Sequence, residues 1–284
     1  MNSVTFTNSA GESVTIGRYN PFKLVKITGT DATDAAIITQ KAPYQDGSTY
    51  INTFLEERSI SIELGVLGSS KPEIEDNKSI IFQVFNPKLG PGILRYEYPG
   101  GIKEIMATPE GTPTFPTKNN SFHQGIINLL APNPYWFTEE QADQLVIWEG
   151  GLEFPLQLPT FFAELSQDKS KRLVNNGHVE TPVQITFNGP ATAPIRVENV
   201  TTGEFLEVNQ DLLAGEYLEI NTAFGNKKVV KVSFEGTTNA FNFINLESTF
   251  FQLVPGNNLI DYSTGADYEQ TGVQVKWRNR YSGV

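Results

Sequence analysis

Residues 129–138, Leu-Leu-Ala-Pro-Asn-Pro-Tyr-Trp-Phe-Thr, separate two parts of the sequence that differ in pattern and in charge. Two prolines flank an asparagine and restrict the backbone there, and three aromatic residues follow at once. A free linker would not expose three apolar rings to water. We therefore predict two domains, 1–131 and 132–284, with aromatic side chains packed at their junction. The predicted junction residues are Pro132, Pro134, Tyr135, Trp136 and Phe137.

Charge is distributed unevenly across this boundary. The whole chain has a net charge of −11, but residues 1–131 contain 11 basic and 13 acidic residues, a balance of −2. Residues 132–284 contain 10 basic and 19 acidic residues, a balance of −9. Because phosphate contacts require a basic face, this composition argues against nucleic-acid binding by the second half.

Length and composition limit the class of protein. A chain of 284 residues with 39% hydrophobic residues is long enough for two domains with separate cores. The absence of cysteine excludes disulfides and thiolate metal sites. No apolar run approaches the roughly 18 residues of a membrane span. The start, MNSVTFTNSAGESVTIG, lacks the basic and apolar regions of a signal peptide, so we expect assembly in the cytoplasm.

The first half combines strands with one helix. Alternating apolar residues predict hairpins over 4–16 and over 93–107, with the second turn at Gly100-Gly101. Residues 60–66 also alternate, which places Ile60, Ile62, Leu64 and Val66 on one face of a strand. A helix is predicted near 71–85, because Ser70 and Glu73 resemble a capping box.

The second half has the pattern of an all-β domain. Alternating segments centre near Ile185, Val197, Leu206, Leu218 and Val230, with turn residues between them. Short strands at this regular spacing predict a sandwich or a barrel. A hairpin is also expected between residues 250–254 and 259–262, around a Pro-Gly-Asn-Asn turn.

Motifs for catalysis, metals or cofactors are absent from the sequence. His123 and His178 lie in turn-rich segments without a third ligand nearby, and no phosphate-binding or nucleophile motif is present. Paired carboxylates could in principle hydrolyse a glycoside. The candidate pairs are Glu139/Glu140, Glu149/Glu153 and Glu216/Glu219. We attribute these pairs to chance in an acidic chain, and we expect no enzymatic activity, metal or cofactor.

The aromatic residues allow a second interpretation. Flat rings can stack on sugars, although most rings in such folds are core residues. The residues that could form such a platform are Trp136, Trp148, Trp277, Tyr135, Tyr217 and Tyr262. A carbohydrate-binding domain is therefore the alternative function for the second half.

Seven short segments, taken in order, resemble the siphovirus tail-component family, which are the distal tail proteins of phages with long non-contractile tails. The segments are 41–47 (KAPYQDG), 57–64 (ERSISIEL), 85–90 (FNPKLG), 131–136 (APNPYW), 175–189 (NNGHVETPVQITFNG), 199–203 (NVTTG) and 255–258 (PGNN). The segments follow one another along nearly the whole chain, and the resemblance rests on their order and spacing together.

This resemblance implies a mainly β protein with a structural role. The family's N-terminal domain is β-rich, split-barrel-like or sandwich-like with one α-helix, and its C-terminal domain is a β-sandwich similar to galectins or carbohydrate modules. Six copies form a ring that links the tail tube to the tail-tip, baseplate and receptor-binding proteins at the virion tail tip. By analogy, ring contacts are expected at Lys41, Tyr44, Asp46, Gly47, Ile60, Ile62 and Leu64.

Overall fold

The computed structural model describes residues 2–118, 122–145, 148–149, 164–165, 170–266 and 272–284. The chain forms two compact units, each with its own hydrophobic core. The first unit is Met1–Glu139 together with Tyr281–Val284, and the second is Glu140–Arg280. By internal contacts the division falls after Glu139 rather than after residue 131.

The described part of the first unit contains eleven strands, one α-helix and a short 3-10 helix. The strands are β1 (Ser3–Thr7), β2 (Ser13–Ile16), β3 (Phe22–Thr28), β4 (Ala35–Gln40), β5 (Thr49–Leu55), β6 (Arg58–Leu67), β7 (Gly92–Tyr98), β8 (Gly101–Pro109), β9 (Thr114–Lys118), β10 (Phe122–Ala131) and β11 (Trp136–Phe137). The helix α1 covers Lys71–Val84, and the 3-10 helix covers Pro87–Leu89.

Most of these strands belong to one antiparallel sheet in the order β2-β1-β7-β8-β10-β6-β3. The predicted hairpins are confirmed, because β1 pairs with β2 and β7 pairs with β8. The two end strands of the sheet meet at a bridge between Gly17 and Lys23, so the sheet curls towards a barrel. Its interior is the core of the first unit, to which α1 contributes Ile74, Ile81 and Val84.

Helix α1 begins directly after its N-cap residue, Ser70, as the sequence predicts. Ser70 has an extended backbone, and its hydroxyl accepts a hydrogen bond from the backbone N–H of Glu73. The Glu73 carboxylate in turn accepts a bond of 2.7 Å from the backbone N–H of Ser69. These bonds satisfy donors that the first turn leaves without helical partners. Within the described residues, neither type of helix has the length and apolar character needed to cross a membrane.

The second unit is built from strands throughout its described part. These are β12 (Gln141–Leu145), β13 (Trp148–Glu149), β14 (Glu164–Leu165), β15 (Ser170–Asn175), β16 (Thr181–Asn188), β17 (Ile195–Asn199), β18 (Glu204–Val208), β19 (Tyr217–Asn221), β20 (Lys228–Ser233), β21 (Gly236–Asn239), β22 (Gln252–Leu253), β23 (Gly256–Ser263) and β24 (Val273–Trp277). A 3-10 turn, Phe241–Phe243, follows β21, and the last strand of the chain is β25 (Arg280–Tyr281).

Two sheets of the second unit share one core. The first has the order β12-β24-β16-β19-β20-β21, and the second has the order β15-β23-β17-β18. Ile185 and Val275 from the first sheet belong to the same buried cluster as Val197 and Ile260 from the second. This arrangement is a β-sandwich, and the predicted mainly β fold is confirmed. Similarity of this sandwich to galectins stays a prediction.

The strand positions follow the sequence pattern, with one exception. Ile185, Val197, Leu206, Leu218 and Val230 each lie in a separate strand, β16 to β20. The prediction of a hairpin over residues 250–262 is wrong, because β22 pairs with β16 and not with β23. Strand β22 has only two residues, which is too short a segment for its sequence to indicate the strand with which it pairs.

Buried asparagines connect the loops of the second unit. Asn199 and Asn258 are fully buried, and the amide of Asn199 donates to the side-chain oxygen of Asn258 over 3.2 Å. That oxygen also accepts from the backbone N–H of Val254, while the Asn258 amide donates to the Val254 carbonyl over 2.8 Å. The sequence segments 199–203 and 255–258 therefore meet through hydrogen bonds in the folded unit.

We expect Asn258→Leu to lower the free energy of unfolding of the second unit by about 2–3 kcal/mol. The substitution nearly preserves side-chain volume but removes the hydrogen bonds of the Val254 backbone and of Asn199 in a dry environment. Urea unfolding measures the change. Asn257→Leu at the exposed neighbouring position is the control, and equal effects of the two substitutions would contradict this role.

Candidate functional site

A two-stranded hairpin is the main exposed apolar feature of the first unit. Strands β4 and β5 form a sheet of their own, and we call residues 35–55 the arm. The exposed large side chains of the arm are Ile37 (64%), Ile38 (43%), Tyr44 (107%), Tyr50 (60%), Ile51 (54%) and Phe54 (58%). An isolated hairpin is marginally stable in water, and an apolar surface of this kind is typical of a binding surface.

Both faces of the arm are apolar. Thr39 lies opposite Tyr50, so Ile37 and Tyr50 share one face, whereas Ile38 and Phe54 share the other. A hairpin lying on the surface of its own domain would need only one apolar face. The arm therefore has the pattern of a segment that is enclosed on both sides in an assembly.

Four of the predicted ring-contact residues lie at the tip of the arm. Lys41, Tyr44, Asp46 and Gly47 belong to the loop between β4 and β5, and all four are exposed. Tyr44 has a φ of +63°, which is uncommon for a residue other than glycine. This backbone turn leaves the tyrosine ring in solvent, where a partner could contact it.

The other three predicted ring-contact residues are buried, and their assignment must be corrected. Ile60, Ile62 and Leu64 are at most 1% exposed and belong to the core of the first unit. Strand β6 also has a partner on each side, β10 and β3. The side chains of Ile60, Ile62 and Leu64 are therefore not available to another copy, and neither is the backbone edge of β6. The regular alternation at 60–66 marks a central strand whose apolar side chains face the core.

A buried arginine organises the segment around residues 132–136. Arg58 is 1% exposed, and its Nε donates to the carbonyl oxygen of Pro134 over 2.8 Å. Nη1 donates to Gly29 (2.7 Å), Thr30 (3.1 Å) and Ala32 (3.2 Å), and Nη2 donates to the carbonyl oxygen of Ser282 (2.5 Å). Burial lowers the pKa of Arg58 and the nearby Asp31 carboxylate partly opposes that shift. One side chain thus joins three separate stretches of the first unit.

Trp136 is a core residue of the first unit. It is 0% exposed, its ring lies 6.1 Å from that of Tyr96, and its Nε1 donates to the Thr30 carbonyl oxygen over 3.2 Å. Pro134 is buried beside it, Tyr135 and Phe137 are half-buried, and Pro132 is exposed. Packing of these residues at a junction between the two domains stays a prediction.

The aromatic platform proposed for sugars is not assembled from the described rings. Trp136, Trp277 (8% exposed) and Tyr262 (3% exposed) are buried in cores. Burial, with a smaller contribution from Asp261, raises the pKa of Tyr262 to about 12. Tyr135 and Tyr217 are half-buried, and the Trp148 side chain lies outside the described residues.

The described carboxylates that were considered as catalytic pairs form ion pairs with lysine or arginine side chains. Glu216 contacts Lys231 over 2.7 Å and Glu219 contacts Lys228 over 2.9 Å. Glu139 and Glu140 form ion pairs with Arg95 and Lys276 respectively. Glu149 and Glu153 have no described side chains, so that pair lies outside the described residues.

The two histidines make other contacts in the described structure. The Nδ1 atom of His123 is 3.9 Å from a carboxylate oxygen of Glu75, and the backbone N–H of His178 donates to the carbonyl of Arg280. Across the described ranges, no three His, Asp or Glu side chains are arranged to hold a metal ion.

Sequence reasoning missed the two features that stand out in the structure. The arm was missed because apolar residues on both faces give no alternation, although Ile-Ile at 37–38 and Tyr-Ile at 50–51 are a usable signal. The role of Arg58 was missed because an arginine that follows two glutamates resembles a surface residue.

Two family models match successive parts of the chain. The phage tail protein RIFT-related domain matches residues 9–131, and the siphovirus-type tail component, C-terminal domain, matches residues 176–281. Comparison with curated proteins gave no significant match.

Solved phage structures share the fold at low sequence identity. The Dit protein of phage SPP1, described as a paradigm of hub adsorption apparatus in Gram-positive infecting phages, aligns with a TM-score of 0.69, 12% identity and 98% coverage of both chains. Chains of the phage P2 baseplate in its activated conformation, with Ca and with Sr, align with TM-scores of 0.57 and 0.56, 12% identity and 100% coverage of both chains. Because the two family models match in succession and together cover most of the chain, this chain belongs to the siphovirus-type tail component family, that of the phage distal tail proteins.

Proposed function

We propose that this chain is a structural hub at the distal end of a phage tail, where six copies close into a ring. The ring would join the tail tube on one side to tail-tip or baseplate proteins and the receptor-binding apparatus on the other. Family membership and the hub and baseplate proteins among the similar structures support this role. Location at the virion tail tip follows from it.

The observation that carries the proposal is the exposed arm. A ring of identical subunits needs a heterologous contact, in which one surface of each copy meets a different surface of the next. The arm presents apolar side chains on both faces and a loop with Tyr44 at its tip, so it can supply one side of that contact. Enclosure of these side chains between copies would stabilise the ring by removing apolar area from water.

Sugar binding by the second unit is the alternative function. Two of the rings chosen for it from the sequence, Trp277 and Tyr262, are core residues that are at most 8% exposed. Among the described residues of the second unit, no observation favours sugar binding over the hub, so the hub is the better-supported function.

The test of the hub is the oligomeric state of the purified chain. We expect light scattering and negative-stain microscopy to reveal six-membered rings of the unaltered protein. The triple variant Ile37→Thr, Tyr50→Thr and Phe54→Thr should raise the concentration at which rings dissociate by at least about a hundredfold, because it removes apolar contact area and keeps residues that favour strands.

The control for this test is Met106→Thr. Met106 is 56% exposed on strand β8, outside the arm, so its replacement should leave the rings intact. Circular dichroism should give the same folded spectrum for both variants, because substitutions at exposed positions leave the fold of the subunit intact. A chain that stays monomeric at high concentration would refute the hub. Arm variants that form rings as well as the unaltered chain would refute the contribution of the arm to the ring.

A further inference from the structure

The end strands of the first unit's sheet leave an opening between them. The Gly17 N–H donates to the Phe22 carbonyl and the Leu24 N–H donates to the Gly17 carbonyl, which joins the strand ends at one point. Beyond this point β3 has a register shift between Leu24 and Lys26, so Val25 forms a bulge. We call the opening, lined by residues 23–27 together with Arg18, Asp31 and neighbouring residues, the seam. Its cavity has a volume of about 500 Å³.

The seam is basic and partly apolar. Arg18, Lys23 and Lys26 line it together with a single carboxylate, that of Asp31. Lys23 and Lys26 are exposed and form no ion pair with the described residues. Val25 is 51% exposed between them. A complementary partner would supply carboxylates beside apolar side chains.

The arm has that complementary composition. Asp34, Glu56 and Glu57 lie at its root, are exposed, and make no ion pair within the described parts of the chain. Directly beyond this acidic root are the apolar side chains on both faces, such as Ile37 and Phe54. Root and arm therefore offer acidic and apolar groups side by side, as the seam offers basic and apolar groups.

We infer that the arm of one copy docks at the seam of the next copy in the ring, with the acidic root of the arm against Lys23 and Lys26. This inference rests on the proposed ring and names the surface that receives the arm. Arm and seam are different surfaces of one chain, as a heterologous contact requires. The contact would cover Val25 and the apolar side chains of the arm and would pair the carboxylates of the root with the lysines of the seam.

Cysteine cross-linking tests this contact directly, because the chain contains no cysteine. A copy with Val25→Cys is co-expressed with a differently tagged copy that has Ile37→Cys or Phe54→Cys, one for each face of the arm. Under mild oxidation, at least one arm variant should form a disulfide-linked dimer that carries both tags. Met106→Cys, which is exposed to a similar degree on β8, is the control partner. It should give at least about tenfold less of the disulfide-linked dimer that carries both tags.

Charge reversal supplies a second, independent readout. Lys23→Glu with Lys26→Glu should raise the concentration for ring dissociation about tenfold, and so should Glu56→Lys with Glu57→Lys. The variant that combines all four substitutions should restore ring dissociation to nearly the concentration of the unaltered chain. Lys71→Glu with Lys88→Glu, at other positions of the first unit, is the matched control.

The possible outcomes separate this inference from the proposed function. Rings that form normally, without cross-links above the Met106→Cys control and without recovery in the combined charge variant, would overturn the arm–seam contact alone. Failure of the unaltered chain to form rings would overturn both.

Discussion

Replacing Arg58 with methionine is expected to lower the free energy of unfolding of the first unit by about 3–4 kcal/mol. Arg58 donates five hydrogen bonds to backbone carbonyls, and methionine keeps much of the side-chain volume but donates none. Hydrogen bonds from a charged donor each contribute about 1.5–3 kcal/mol. The net loss is smaller than the sum of these contributions, because the methionine variant no longer has to bury a charge. The cost of burying that charge is also what lowers the pKa of Arg58.

The loss of protection should be greatest in the stretches that Arg58 connects. These are the segment before the arm, with Gly29, Thr30 and Ala32, the segment at Pro134, and the end of the chain at Ser282. Hydrogen exchange followed by mass spectrometry should therefore reveal faster exchange in peptides from these three segments and from β6. Peptides from β16 in the second unit should be unchanged.

Two variants define what the arginine contributes. Arg58→Lys keeps the charge but has only three donors on one nitrogen, so it should recover less than half of the loss. Arg95→Met removes an arginine whose side chain is 36% exposed and paired with surface carboxylates, and it should cost less than about 1 kcal/mol. Equal stability of Arg58→Met and the unaltered chain would contradict the assigned role.

The parts of the fold that follow from short segments could be predicted from the sequence. Ser70 and Glu73 mark a helix start within four residues, and the turn at Gly100-Gly101 lies between two alternating strands. Such signals work because each depends only on neighbouring residues. The order of strands in each sheet, by contrast, depends on contacts between distant segments, as the pairing of β22 with β16 illustrates.

The candidate site was less predictable for a physical reason. The arm has apolar side chains on both faces, so its strands do not alternate between apolar and polar residues. Its sequence therefore matches neither a half-buried strand nor a polar loop. The alternation at Ile60, Ile62 and Leu64 was easy to find, and it marks burial within the chain. Regular patterns therefore identified the core correctly, while the exposed apolar side chains lie in the irregular segment 35–55.

Trp136→Ala is expected to lower the free energy of unfolding of the first unit by about 3–5 kcal/mol. Trp136 is fully buried, so truncation removes apolar contacts and leaves a cavity in a packed core. It also removes the hydrogen bond from Nε1 to the Thr30 carbonyl oxygen. Trp136→Phe should cost less than Trp136→Ala, because a ring still fills part of the space beside Tyr96. Tyr135→Ala, at the half-buried neighbouring position, is the control and should cost about 1 kcal/mol.

This variant also separates two functions of the stretch 129–138. If Trp136 acts as a core residue, urea unfolding and hydrogen exchange should both report a weakened first unit. If instead it only orients the two domains, both units should keep their stability and small-angle scattering should change. The burial of Trp136 and its bond to Thr30 favour the first result. An unchanged unfolding free energy in Trp136→Ala would refute it, because a cavity of that size in a core cannot be free of cost.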